Sequence, residues 1–318
     1  STQTVHAQEM DASGVLGRIF AALQAQTVGA YKTAGYSLAG NAMVLEAPGS
    51  PTTVLSGNGA PAQQYRHYAH YRMQIDAMTE RHSQSPFADA HAHLLKTSLE
   101  GIDEFAQQIA DGELTVDFPN TGLGRQLETV ARVIKARDVI GAERDGFFVQ
   151  LGGFDSHGDF FTTIANKFAE INDAVGALVE ELKAQAVWDE TVVLQSSEFG
   201  RTMVHNGMGS DHGWGGMHWM AGGRVRGGRF LGHYPESLLP ESELMLSRGR
   251  IVPTTGWESL WHGVAEWLGV DEVQMPGVLP NMHNYKPNEL WTASDLFEPS
   301  PPLSPSAPPP PPTPPLPP

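Results

Sequence analysis

The stretch from Gly146 to Ser197 constrains the fold more than any other part of the chain. GFFVQLGG (146–153) is a short, continuous apolar run closed by two glycines, the pattern of a buried strand. A long segment from about Phe161 to Gln185 follows. Its apolar residues Ile164, Phe168, Ile171, Val175, Leu178, Val179 and Leu182 recur at three- and four-residue steps. That spacing predicts a helix with one buried face. DETVVLQSS (189–197) then reads as a second buried strand. Strand, helix, strand at this spacing predicts a βαβ unit with parallel strands, hence an α/β fold.

In open parallel sheets, ligands bind beyond the carboxyl ends of the strands. The first strand runs into GGFDSHGDF, which carries Asp155 and His157, and the second into SSEFGRT, which carries Glu198 and Arg201. A glycine-studded loop then leads to Asp211 and His212. Oxygen and nitrogen donors of this kind suit a divalent ion such as Zn, Mn, Mg or Ca. Such an ion would polarise an ester and lower the pKa of bound water. The structural alternative is that Asp155 caps the following helix, Glu198 pairs with Arg201, and His212 packs in a turn.

Composition narrows the partners. The chain has 36 acidic residues against 20 basic ones, a formal charge of −16, which argues against nucleic acid. Without cysteine, disulfides, thiolate metal sites and cysteine nucleophiles are excluded. No run of eighteen apolar residues is present, so no membrane span is expected. The chain starts at Ser1, and STQTVHAQEMD is no signal peptide, which reads as a chain trimmed at its start.

Other segments are read more briefly. Helices are predicted over AQQYRHYAHYRMQIDAMTERH (62–82), FADAHAHLLKTSLEGIDEFAQQIA (87–110, with Ser85 and Pro86 as start signal) and LGRQLETVARVIKARDVIG (123–141). AMVLEA and TTVLSG, between residues 35 and 59, are β-prone. His67, His70, His91 and His93 read as surface or structural residues, and Trp257, Trp261 and Trp267 as core. GGRVRGGRF (222–230) lacks P-loop spacing and reads as a turn before a strand. Residues 299–318 hold more than half of the 24 prolines and form a proline-rich tail, a spacer or a ligand for a proline-binding partner.

FPNTGLGRQLETVARVIKARDVIG, FFVQLGGFDSHGDF, VVLQSSEFGRT, GSDHGWGG, GGRVRGG and GRIVPTTGWESLWHGVAEWLG occur in an order that resembles the DUF1501 family from about Gly14 to Leu296. Members of that family are often described as sulfatase-like or twin-arginine-exported and are grouped with the alkaline phosphatase superfamily. The resemblance implies a three-layer αβα sandwich with a mostly parallel sheet over residues 1–298, lacking the family's amino-terminal region. It also implies export, and a metal-dependent hydrolase of phosphate or sulfate esters, small-molecule or polysaccharide. Asp155, His157, Glu198, Asp211 and His212 would be metal ligands. Arg201 would stand near the anionic group, and the nucleophile would be metal-bound hydroxide or a residue of the absent region. Phe199 departs from the superfamily, which commonly has a metal-binding histidine there, and Glu198 replaces an aspartate. The alternative is a non-catalytic, exported or surface-associated binding protein that keeps the fold, or an inactive fragment.

Overall fold

The computed structural model describes residues 13–26, 31–50, 52–55, 68–80, 85–110, 112–156 and 159–299. The protein is mixed α/β. Three parallel strands, β1 (Thr33–Ser37), β2 (Thr52–Val54) and β3 (Arg144–Phe148), pair in the order β2-β1-β3. Parallel neighbours need long crossovers. Between β1 and β3 the chain supplies α2 (Tyr68–Thr79), α3 (Pro86–Ala110), α4 (Gly122–Lys135) and the short α5 (Arg137–Ile140).

Two apolar clusters lie against the strands. The first joins Val15, Ile19, Phe20 and Leu23 of α1 (Val15–Ala25) to Leu45, and to Trp261, Val264 and Ala265 of α7 (Trp257–Leu268). The second joins Leu123, Leu127, Val130 and Ala131 of α4 to Ala174, Leu178 and Leu182 of α6 (Phe160–Ala184), and to Tyr36. Neighbouring strand residues divide between them. Phe148 packs on the first and Phe147 on the second; Val192 and Leu194 pack on the first and Val193 on the second. This is the period-two alternation of a strand with apolar contacts on both faces. The α1 side comes close: a Cβ on Gly146 would meet Phe20 Cζ at 2.5 Å, so only glycine fits on β3 there.

The sequence placed most of the helices, though α1 was not among those expected. The segment read as starting at Phe161 is α6, and the segments read at 87–110 and 123–141 correspond to α3 and to α4 with α5. Part of the 62–82 segment is α2; its first residues lie outside the described residues. The burial of α6 differs from expectation. Leu178 and Leu182 are buried, but Phe168 is 60% exposed and Phe161 85%, so the buried apolar face that packs on α4 is concentrated in the carboxyl half.

The strand reading needs correction. β4 (Val192–Leu194) is not paired with β3; it pairs antiparallel with β7 (Met220–Gly222). After Leu194 the chain turns out into a hairpin and comes straight back, and a direct return of this kind delivers the next strand antiparallel. AMVLEA forms a 3-10 turn at Met43–Leu45 rather than a strand, whereas TTVLSG contains β2. GGRVRGGRF follows a strand instead of preceding one: β7 ends at Gly222, and Val225 then bridges Phe297. Trp261 is core, as its helical spacing indicated, and Trp257 and Trp267 pack against the same cluster. His70, His91 and His93 are exposed, and His67 lies outside the described residues. No helix among the described residues is long and apolar enough to cross a membrane.

Candidate functional site

The site is built on the hairpin of β5 (Gly200–His205) and β6 (Ser210–Gly213). Its turn is specified locally. The Asn206 side-chain oxygen accepts from the Met208 and Gly209 amides, at 3.1 and 3.0 Å, and Gly207 takes a φ of +99°. At the open end Gly200 faces Gly213, and a Cβ on Gly200 would strike the Gly215 carbonyl at 2.1 Å. One further pair is decisive: Arg201 lies directly opposite His212. Directly paired residues share a face of a hairpin.

Arg201 ties this face to the loop after β3. Its guanidinium donates to the Ser210 carbonyl within the hairpin and to the Phe154 carbonyl across it. The same guanidinium lies 3.8 Å from the Asp155 carboxylate. His212 Nε2 is 2.7 Å from Asp155 Oδ1, a contact between residues 57 apart in the chain. Phe199 completes the group. Its ring stacks on the His212 imidazole at 3.9 Å and 10°, and the Arg201 guanidinium stands 5.1 Å from its centre. Phe160, at the start of α6, lies 5.9 Å from the same guanidinium.

This arrangement bears on the structural alternative for Asp155. The residue at the α6 cap is Asp159, with a φ of +46° and no side-chain capping bond, while Asp155 reaches across to His212. A carboxylate bonded to an imidazole nitrogen fixes that ring's orientation and tautomer. With the proton on Nε2, the lone pair resides on Nδ1. The pair is suited to orienting a base or a metal-liganding imidazole.

A family model described as "Protein of unknown function (DUF1501)" matches residues 3–240, well over half of the chain. The chain belongs to the DUF1501 family. No curated protein and no solved structure matches it. The match takes in Asp155, Phe199, Arg201 and His212, and stops short of α7.

Of the residues singled out in this DUF1501 sequence, the fold brings Asp155, Arg201 and His212 together. Asp211 is held elsewhere: Arg248 lies 2.6 Å from one carboxylate oxygen, and the Asn206 amide donates to the other at 2.8 Å. Its backbone N–H goes to Thr202 Oγ1 at 3.0 Å. Glu198 is exposed in the segment linking β4 to β5. His157 lies outside the described residues. Among the described residues no group of three or more His, Cys, Asp or Glu is placed to hold a metal ion. The donor chemistry of Asp155 and His212 suits a divalent ion, but two donors are one short of the smallest protein ligand set of a zinc enzyme.

Sequence reasoning did not assign Phe199 its stacking role or find Arg248. Phe199 precedes Gly200 and lies beside the Arg201–His212 rung, a placement that the hairpin pairing sets and the sequence pattern does not show. Arg248, 37 residues from its partner Asp211, had no local signal either.

Proposed function

We propose that this DUF1501 chain is a metal-dependent hydrolase of phosphate or sulfate esters, centred on Asp155 and His212. One observation carries the reading: the 2.7 Å contact that joins the loop after β3 to β6. His157, two residues from Asp155, is proposed as a further donor, with Glu198 beside β5 completing the set. Asp211 is left out of it because Arg248 and Asn206 engage its carboxylate. A divalent ion held there would polarise the ester oxygen and supply hydroxide near neutral pH. The chain's own contribution is orientation: Asp155 sets the imidazole, Phe199 supports its face, and Arg201 braces the loop carrying Asp155. As part of the same proposal, residues 1–298 form one αβα sandwich domain of alkaline-phosphatase type and 299–318 a tail; the two apolar clusters, with strand residues alternating between them, support the layering alone.

The test combines metal content with turnover. Protein loaded with Zn, Mn, Mg or Ca and then desalted is expected to retain metal by elemental analysis. It is also expected to hydrolyse p-nitrophenyl phosphate or p-nitrophenyl sulfate. His212→Ala and Asp155→Ala should each lower kcat/KM by about 100-fold or more. A folded wild-type protein that retains no metal and turns over neither ester sinks the proposal. A second reading, a non-catalytic binding domain, is favoured by the exposed Trp214, Met217, Phe230 and Tyr234, which are 56–83% accessible. Turnover lost on His212→Ala would exclude it.

A further inference from the structure

We propose that Lys167 is the residue that takes the anionic oxygens of the substrate at this site, a reading that rests on the proposed hydrolase function. α6 presents two residues toward the site loop. Phe160 lies beside Arg201, and Lys167, seven residues on, falls two turns later on the same face. The lysine reaches Gly153, whose φ is +91°. A Cβ on Gly153 would lie 2.9 Å from Lys167 Cε and 3.4 Å from its Nζ. Asp155 is only two residues further, at most about 7 Å of chain. The segment from Gly153 to Asp155 is therefore bracketed by two cations, Lys167 above Gly153 and Arg201 at the Phe154 carbonyl.

The two cations differ in what they have left to give. Arg201 donates to two backbone carbonyls and its side chain is 17% exposed, so it acts as a brace. Lys167 carries three N–H donors. Its ion pair with Glu170 spans 3.6 Å, beyond ordinary hydrogen-bond length. Glu170 is shared, since its other oxygen accepts from the Leu123 amide at 3.3 Å. Lys167 thus retains donor capacity beside the proposed reaction centre, at a side-chain exposure of 26%. In a chain of charge −16, a local cation of this kind is what an anionic substrate requires. The ligand chemistry is a tetrahedral oxyanion, phosphate or sulfate, and the lysine engages it as a point charge.

Calorimetric titration of the full chain with inorganic phosphate and inorganic sulfate tests this. The wild type is expected to bind at least one of them. Lys167→Met, which keeps the aliphatic stem, should weaken binding about tenfold or more, while Lys167→Arg should stay within about threefold. Equal affinity in Lys167→Met, or no binding by wild type at about 10 mM of either ion, overturns the assignment. If Lys167→Met does not fold, lysine acylation mapped by mass spectrometry on the wild type decides. Phosphate should slow modification of Lys167 but not of exposed Lys183, and an unchanged Lys167 rate overturns the proposal. Failure of the underlying function looks different: phosphate binding lost on Lys167→Met, with no ester turnover by any metal-loaded wild type.

Discussion

Asp145 illustrates how one residue couples burial to pH. It lies on β3 opposite Ala34, and its Oδ1 is buried with no hydrogen-bond partner among the described residues. Burial pushes its pKa up to about 6. Burial and the nearby Asp145 charge together push the Tyr36 phenol above its ordinary value. The protonated carboxyl is thus favoured by the fold. The folded pKa exceeds the unfolded one, so this group's stabilisation is fully present below about pH 4 and declines until about pH 6. Asp145→Asn should remove that slope and stabilise the protein by about 1–3 kcal/mol at pH 7.5. Urea midpoints at pH 5 and 7.5 read this out, and identical slopes in variant and wild type would refute it. Arg201 gives a second residue-scale prediction. Arg201→Met leaves the Phe154 and Ser210 carbonyls without their donor and should cost about 2 kcal/mol. Loss of the hydrolysis proposed for this site should accompany it. An unchanged denaturant midpoint would show that the brace is dispensable.

At the scale of elements, α6 is held by its carboxyl half. Glu181, fully buried, accepts from the Thr115 and Val116 amides at 2.7 and 2.9 Å and from Gln185 at 2.8 Å. Burial alone would raise its pKa, but the bonds from Gln185, Thr115 and Val116 outweigh it, and the net direction is down. Its stabilisation is therefore present above the unfolded carboxyl value and lost as pH falls through the lower folded one. Glu181→Ala leaves two backbone N–H groups without their acceptor and should cost about 2–4 kcal/mol at neutral pH. Glu181→Gln should cost less and flatten the acid limb of the stability profile. Leu182→Ala should cost about 2–5 kcal/mol, whereas Phe168→Gln should stay within about 0.5 kcal/mol. Comparable losses for Leu182 and Phe168 in chemical denaturation would contradict the half-docked helix. The sequence could not draw this distinction. The 3.6-residue periodicity of Ile164, Phe168, Ile171 and Leu178 is continuous, and only the partner α4 decides where burial stops.

At the scale of the whole molecule, the last core positions among the described residues are Leu296 and Phe297. Leu296 is fully buried, and Phe297 stacks on Trp267 with ring centres 4.8 Å apart. Truncation after Glu298 is expected to leave Tm within about 2 °C of wild type, whereas truncation after Thr292 should lower it by roughly 5–15 °C. Differential scanning calorimetry of the two chains checks this, and a large drop on removing only the tail would move the domain boundary. What the sequence by itself determined was local in cause. Apolar periodicity marked most of the helices, though not α1, and short apolar runs at 146–153 and 189–197 marked the neighbourhood of β3, which spans only Arg144–Phe148, and of β4. The order of short motifs marked the DUF1501 family. Asp155 and Arg201 stood out beside expected strand ends and His212 on a glycine-studded loop, which made them candidates, whereas the β5–β6 hairpin that carries Arg201 and His212 was not legible. Only the tertiary structure decided that β4 joins β7 rather than β3, that Asp155 meets His212, and that Asp211 turns to Arg248. Pairing and ion-pair choices of that kind depend on which segments, tens of residues apart, arrive side by side, and hydrophobic pattern carries no record of that.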